Sequence, residues 1–310
     1  MKLSGEYNYL SVVVDESADG ILLRELLRER LGISARLITN AKKISGVLLN
    51  DKPTWVDRTV YAGDRVRLLM HEKSEIPAED VPIHIVHEDR DLIVLLKDPM
   101  VLVHPSKKHE TGTLINGLIR HAVSRGESYK PHIVNRLDRD TSGLLIIAKN
   151  PFSHYELMKQ MEQKLVKKKY LAVTKGGFQD VSGTIELRIS YEKHEGINRL
   201  VSEDGKYACT HYKVLQDDGQ LALVELDLVT GRTHQIRVHM SEIGHPLVGD
   251  ELYGAYGMDL IGRQALHAYY LECRSPRGGE LRFKSELPED MRRILREAGI
   301  PDSIEAQSGI

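Results

Sequence analysis

Apolar positions change their spacing along the chain. Near the start, "ILLRELLRERL" (21–31) sets Leu22, Leu26, Leu27 and Leu31 at helical intervals. "GIS" breaks that run, and "ARLITNAKK" predicts a second short helix. The spacing then shortens. "VLLN" and "RVRLLM" read as strands, with "NDK" and "AGD" as turn chemistry between them. Two short basic helices followed by a small sheet make a compact module over residues 1–72. Residues 73–83 are polar, acidic and proline-flanked, which is linker composition.

Residues 84–310 alternate strands and helices more densely. "IHIVHEDRDLIVLLK" predicts a hairpin that leads into a buried strand. "TLINGLIRHAVSRG" predicts a helix, with Thr113 as its N-cap and Gly126 past its end. "GLLIIAK" reads as a buried strand. "SHYELMKQMEQKL" reads as a helix opened by a capping box of Ser153 and Glu156. "KKYLAVTKG" and "LALVELDLVTG" are strand-like. "THQIRVHMSEIGHP" predicts a short helix capped by Thr233 and stopped by Gly244 and Pro246, with Ile236, Met240 and Ile243 on one face. "GELRFKSELPEDM" adds a last strand and helix. No βαβ rhythm emerges, so the expected class is α+β with a mainly antiparallel, mixed sheet.

Composition narrows the picture. The chain has 310 residues, 41% hydrophobic and 28% charged, as a globular protein with a full core does. The N-terminus lacks a basic start followed by a long apolar core, so no secretory leader is expected. "LIVLL" and "GLLIIA" are too short to span a bilayer, so no membrane role is expected. Cys209 and Cys273 form no CxxC pair, which argues against a thiolate metal site and fits reduced thiols in the cytoplasm. The net charge of −2 speaks mildly against nucleic acid, yet a near-zero total can hide a basic face. Arg24, Arg28, Arg30, Arg36, Lys42 and Lys43 cluster early, and Lys159, Lys164, Lys167, Lys168 and Lys169 later. Such runs also arise as plain solvated helix faces.

The chemistry concentrates in "HIVNRLDRDTSGLLIIAKN" (132–150). Asp-Thr-Ser-Gly departs from the Asp-Thr-Gly of aspartic proteases. Asp138 and Asp140 stand too close in sequence to flank a bond as a glycosidase pair does. His234 and His239 lie outside any HExxH, no phosphate-binding glycine loop occurs, and no metal or cofactor is expected. Asp138 sits just before a buried strand, where packing can hold a carboxylate rigidly over a cleft. An ionised Asp there can serve as nucleophile or base and needs a cation to stay charged. Arg136 and Arg237 are the candidates, and a structural Asp–Arg pair is the equal alternative on these grounds.

Several segments then converge. "RLDRDTSG", "KKKYLA" and "TGRTHQIRVHMSEIGHPLVGDELYG", with "VLVHPS", "TGTLINGL", "GKYACTHYKVL" and "LHAYYLE", stand in the expected order over roughly residues 84–293. Together they resemble the RluA-type pseudouridine synthases. The first module resembles, more weakly, the RNA-binding domain of ribosomal protein S4. The resemblance implies a cofactor-free, monomeric enzyme that isomerises uridine in RNA, with large-subunit ribosomal RNA expected ahead of transfer RNA. It implies Asp138 as the catalytic carboxylate, Tyr170 as the active-site tyrosine and Arg237 as the basic partner of Asp138. Arg136 becomes a candidate to fill the space of a flipped base. A non-catalytic RNA-binding protein on the same fold is the rival. Asn135 stands where the family has His, and "KDPMVLVHPS" lacks the usual K-P-x-G.

Overall fold

The computed structural model describes residues 4–6, 9–70, 74–106, 109–191, 199–254 and 260–302. The first elements are β1 (Ser4–Glu6), β2 (Tyr9–Val13), α1 (Leu23–Glu25), α2 (Ala35–Lys43), β3 (Val47–Leu49), β4 (Lys52–Pro53) and β5 (Arg65–Leu69). The strands form one antiparallel sheet in the order β1-β2-β5-β3-β4. The first helix differs from its prediction. α1 continues directly into a π-helical turn over Leu26–Arg30. α1 and that turn together bury Leu23, Leu26 and Leu27, while Leu22 and Leu31 stay half-buried. α2 forms as its spacing requires, with the Ser34 hydroxyl accepting the Leu37 N–H at 3.2 Å. "ND" is a left-handed hairpin turn, Asn50 and Asp51 having φ of 50° and 67°. The sequence reading does not contain β2. Its centre, Leu10–Val12, is a short buried run without a readable period.

Residues 74–83 carry no regular element, as their composition suggests, but they are not loose. The Asn116 amide donates to the Pro77 carbonyl at 3.0 Å, and the Glu79 carboxylate accepts the Gly112 N–H at 2.7 Å. At Gly117 a Cβ would lie 2.4 Å from the Val81 carbonyl oxygen, so the segment lies against a helix position that only glycine can fill.

Then follow β6 (His84–Glu88), β7 (Leu92–Lys97), α3 (Leu114–Ser124), β8 (His132–Ile133), β9 (Ser142–Ala148), α4 (Pro151–Glu162), β10 (Lys167–Lys175), β11 (Ser182–Tyr191), β12 (Arg199–Val201), β13 (Lys206–Asp217), β14 (Leu221–Leu228), α5 (Gln235–Glu242), β15 (Leu266–Arg274), β16 (Glu280–Lys284) and α6 (Glu289–Glu297). Among the described residues they build an 11-stranded sheet with the path β12-β11-β13-β14-β10-β15-β9-β7-β6, β16 pairing β15 and β8 pairing β9. The pairs are antiparallel except β9–β15, which bears out the α+β reading.

Two caps differ from expectation. α4 is capped by Asn150, whose side chain accepts the Ser153 N–H at 2.8 Å. Ser153 is instead buried and donates to Asp91 at 2.8 Å. Phe152, one residue earlier on the same helix, is 1% exposed and packs into the core of the first module with Leu10, Leu26 and Leu37. α5 opens at His234, not at Thr233. α3 keeps its predicted Thr113 cap, and Gly126 (φ 71°) follows its end.

Candidate active site

The seam between the two halves of the large sheet positions the chemistry. β9 and β15 run parallel for only two register pairs, His267 with Ser142 and Ala268 with Gly143. Gly143 has φ 122°, and a Cβ there would lie 2.4 Å from the Ala268 carbonyl oxygen. The glycine of Thr-Ser-Gly is therefore required where the strands meet. All seven residues of β9 are buried, so the loop just before it, residues 135–141, ends on a rigid base.

Three successive carbonyls of that loop, those of Asp138, Arg139 and Asp140, are held. The Thr141 N–H donates to the Asp138 carbonyl at 3.1 Å. Lys97, at the end of β7 and 1% exposed, donates to the Arg139 carbonyl at 2.6 Å and to the Asp98 carbonyl at 2.7 Å. Arg263 donates to the Asp140 carbonyl at 3.2 Å and forks onto Asp290 of α6 at 2.7 and 3.0 Å. Burial lowers the Lys97 ammonium to about 8; Arg263 pushes the same way, while Asp140, Asp98 and Asp138 oppose. Asn135 is 7% exposed, and its side-chain oxygen accepts the Ile146 N–H at 2.7 Å. It pins the start of the loop to β9. Leu137 is buried in the main core beside Tyr170 and Ile236. The backbone on either side of Asp138 is thus fixed, while the Asp138 side chain stays 31% exposed.

The four sequence-derived residues meet. Asp138, Tyr170, Arg237 and Arg136 line one cleft of ≈ 660 Å³. Arg136 is exposed at its rim. Tyr170 is 6% exposed, on β10 where the pairing with β15 shifts register. Such bulges re-aim side chains near active sites. Burial first, then the charge of Asp138, drives the Tyr170 hydroxyl far above its ordinary range, so it is a protonated phenol at neutral pH.

Arg237 corrects its expectation. Its direct partner is Asp250, 1% exposed, reached by a two-pronged contact at 2.7 and 2.7 Å. Burial works against its charge, but the Asp250 hydrogen bonds and then the Asp138 field more than offset that and keep it a cation. The guanidinium also lies 4.9 Å from the Tyr253 ring centroid. Arg237 therefore acts on Asp138 through its field and not as an ion pair. Among the described residues the nearest potential cation to Asp138 is His234 Nε2 at 3.9 Å, an ion pair only while that ring is protonated. His234 Nδ1 lies 2.8 Å from the Tyr253 hydroxyl. Burial lowers its pKa, with Arg237 and Arg199 pushing the same way and Asp138 opposing. It holds a left-handed backbone, φ 57°, a strained state for a non-glycine residue that surrounding structure must enforce.

Sequence reasoning missed Lys97, His234, Tyr253 and Asp250. The last three stand within "TGRTHQIRVHMSEIGHPLVGDELYG", so they were in view without a signal of which faced the cleft. Asp140 is bound by its neighbour Arg139 at 2.8 Å and is loop structure. His239 is fully buried with neither ring nitrogen hydrogen-bonded. Among the described residues no group of three or more metal-ligating side chains occurs.

The comparisons agree with this geometry. Residues 91–242 match the family model described as RNA pseudouridylate synthase. An uncharacterized RNA pseudouridine synthase of Bacillus subtilis (strain 168) is 40% identical over 271 residues, 86% of this chain and 95% of that protein. A ribosomal large subunit pseudouridine synthase D of Nitrosomonas europaea is 37% identical over 249 residues, 76% of this chain and 72% of that protein. The solved structure of human RNA pseudouridylate synthase domain containing 1 superimposes with a TM-score of 0.55 at 26% identity, covering 73% of this chain and 99% of that one. The chain belongs to the RNA pseudouridine synthase family, in its RluA-type branch, and is an isomerase that acts on RNA.

Proposed function

We propose that this cleft converts uridines of large-subunit ribosomal RNA to pseudouridine, with Asp138 as the catalytic carboxylate. One observation carries the assignment: Asp138 is a part-exposed carboxylate on a loop where the carbonyls of Asp138, Arg139 and Asp140 are all hydrogen-bonded, and it shares its cleft with a buried tyrosine. The reaction breaks N1–C1′, turns the base and forms C5–C1′. The proton lost from C5 balances the proton gained at N1, so no external reactant is consumed. A carboxylate fixed at the ribose and base serves the bond-breaking step.

Tyr170 supplies a stacking face for the uracil, worth ~1–3 kcal/mol by analogy with single-strand binders. The uridine reaches it by leaving its stack, and Arg136 at the rim fills the space left behind. The ribosomal target rests on the names of relatives such as the Nitrosomonas protein. The first module, read as an S4-like RNA-binding domain over residues 1–72, adds a second contact. Its Arg24, Arg28, Arg30, Arg36, Lys42 and Lys43 are exposed, as is Trp55 at 75%. Two buried, unpaired cysteines suit the cytoplasm, and among the described residues no helix is long and apolar enough to cross a membrane.

The test maps pseudouridine by carbodiimide-dependent primer stops in ribosomal and transfer RNA treated with wild type and with Asp138→Ala. Stops in ribosomal RNA that fall about 1,000-fold or more in rate in the variant are expected, with folding and RNA binding kept. Undiminished stops in the variant would overturn the role of Asp138. Stops confined to transfer RNA would overturn the target.

A further inference from the structure

Lys168 enters the cleft from β10, only 9% exposed, and lines the same cleft as Asp138 and Tyr170. The other buried cations of the described residues are satisfied. Lys97 holds carbonyls, Lys149 bridges Glu88 and Glu127, and Arg237 and Arg263 fork onto Asp250 and Asp290. Lys168 has no hydrogen bond and no ion pair among the described residues. Asp227 attracts it only from a distance, while burial presses it toward neutrality. A buried ammonium without a partner is costly, and one that faces a cleft is completed by an anion that enters the cleft.

Placement specifies the anion. A Cβ on Gly231 would lie 3.7 Å from the Lys168 Nζ, so the ammonium sits against the loop that leads to His234. Tyr170 stands two residues further along the same strand and faces the same cleft, ~7 Å away along the backbone. That is the reach from a nucleobase across its ribose to its phosphate. We propose that Lys168 binds the backbone phosphate of the flipped uridine and so holds the ribose still while the base detaches and turns. This rests on the reading of the cleft as the uridine site. It gives the detached state a fixed C1′, which the loose base alone cannot provide.

The test measures binding of a short single-stranded RNA with one central uridine across a salt series. A second RNA carries neutral methylphosphonates on both sides of that uridine. Lys168→Ala should weaken binding of the natural RNA about 10-fold and flatten the slope of log affinity against log salt by ~0.7 for the lost phosphate contact. The neutral RNA should bind wild type about as weakly, with little further loss on Lys168→Ala. Lys168→Arg should keep the slope. Lys168→Met, which keeps the apolar stem, replaces the alanine variant if thermal melting shows that one unfolded. An unchanged slope, or an equal loss on both RNAs, overturns the proposal. Wild type that makes no pseudouridine in ribosomal or transfer RNA would instead remove the uridine-site reading, and the salt slope would still report on Lys168.

Discussion

The two sides of the 135–141 loop treat the same chemistry in opposite ways. Behind it, every strong polar group is closed off: Lys97 on two carbonyls, Arg263 on Asp290, Asn135 on the Ile146 N–H. In front, Asp138 is half-open, Arg136 exposed and Lys168 buried but unpartnered. Burial of a charge alone therefore does not separate scaffold from site, since Lys97 and Lys168 are both buried lysines. Satisfaction does. A closed group fixes geometry, and an open one in a cleft is kept for a ligand.

Arg237 is the sharpest challenge to that division, because it lines the cleft and yet is closed by Asp250. By the rule it belongs with the scaffold. Arg237→Ala should cost ~3–5 kcal/mol of stability, since it strands Asp250 in the interior. A second change, Asp250→Asn, should return a large part of that loss. Chemical denaturation of the single and double variants measures the coupling. A well-folded single variant with normal stability would move Arg237 to the open side.

Lys97 gives the next largest effect and a pH signature. Lys97→Met frees two carbonyls and should cost about 2 kcal/mol near neutral pH. Its folded value of about 8 lies below that of a lysine in the unfolded chain, ~10.4. Below about 8 both states are protonated, and the burial penalty is present in full. Between the two values the unfolded chain binds more protons, so Lys97 adds stability as pH rises. Wild type should gain on Lys97→Met by about 2 kcal/mol from pH ~8 to ~10. A difference that is flat with pH would mean that Lys97 is not held as the structure shows.

Much of this frame was legible in the sequence. The α3 cap at Thr113, the buried β9 and the convergence of Asp138, Tyr170, Arg237 and Arg136 follow from local pattern and motif. The misses share a cause. Asn150 displaced Ser153 as the cap of α4 because Asp91, 62 residues away, claims the Ser153 hydroxyl. Arg237 chose Asp250 over Asp138, and Lys168 was left without a partner, through packing that no short window contains. The strained His234 backbone is a property of the turn between β14 and α5, and its residue type gives no sign of it.

Asn135 is the smallest effect and tests the closed side at its edge. It stands where the family has His, a departure that bears on either RNA contacts or loop hydrogen bonding. The structure gives it a backbone task, accepting the Ile146 N–H at 2.7 Å while its amide reaches the Leu144 carbonyl at 3.5 Å. Asn135→Ala leaves a buried N–H without a partner and should cost ~1–3 kcal/mol. Asn135→His retains an acceptor in a ring nitrogen, so it should stay within about 1 kcal/mol of wild type, a loss no larger than one ordinary hydrogen bond. Thermal melts read both, and the primer-stop pattern reads the site. If Asn135→His kept stability but changed which uridines are modified, Asn135 would belong to the open side after all. The loop would then be read by RNA at both of its ends.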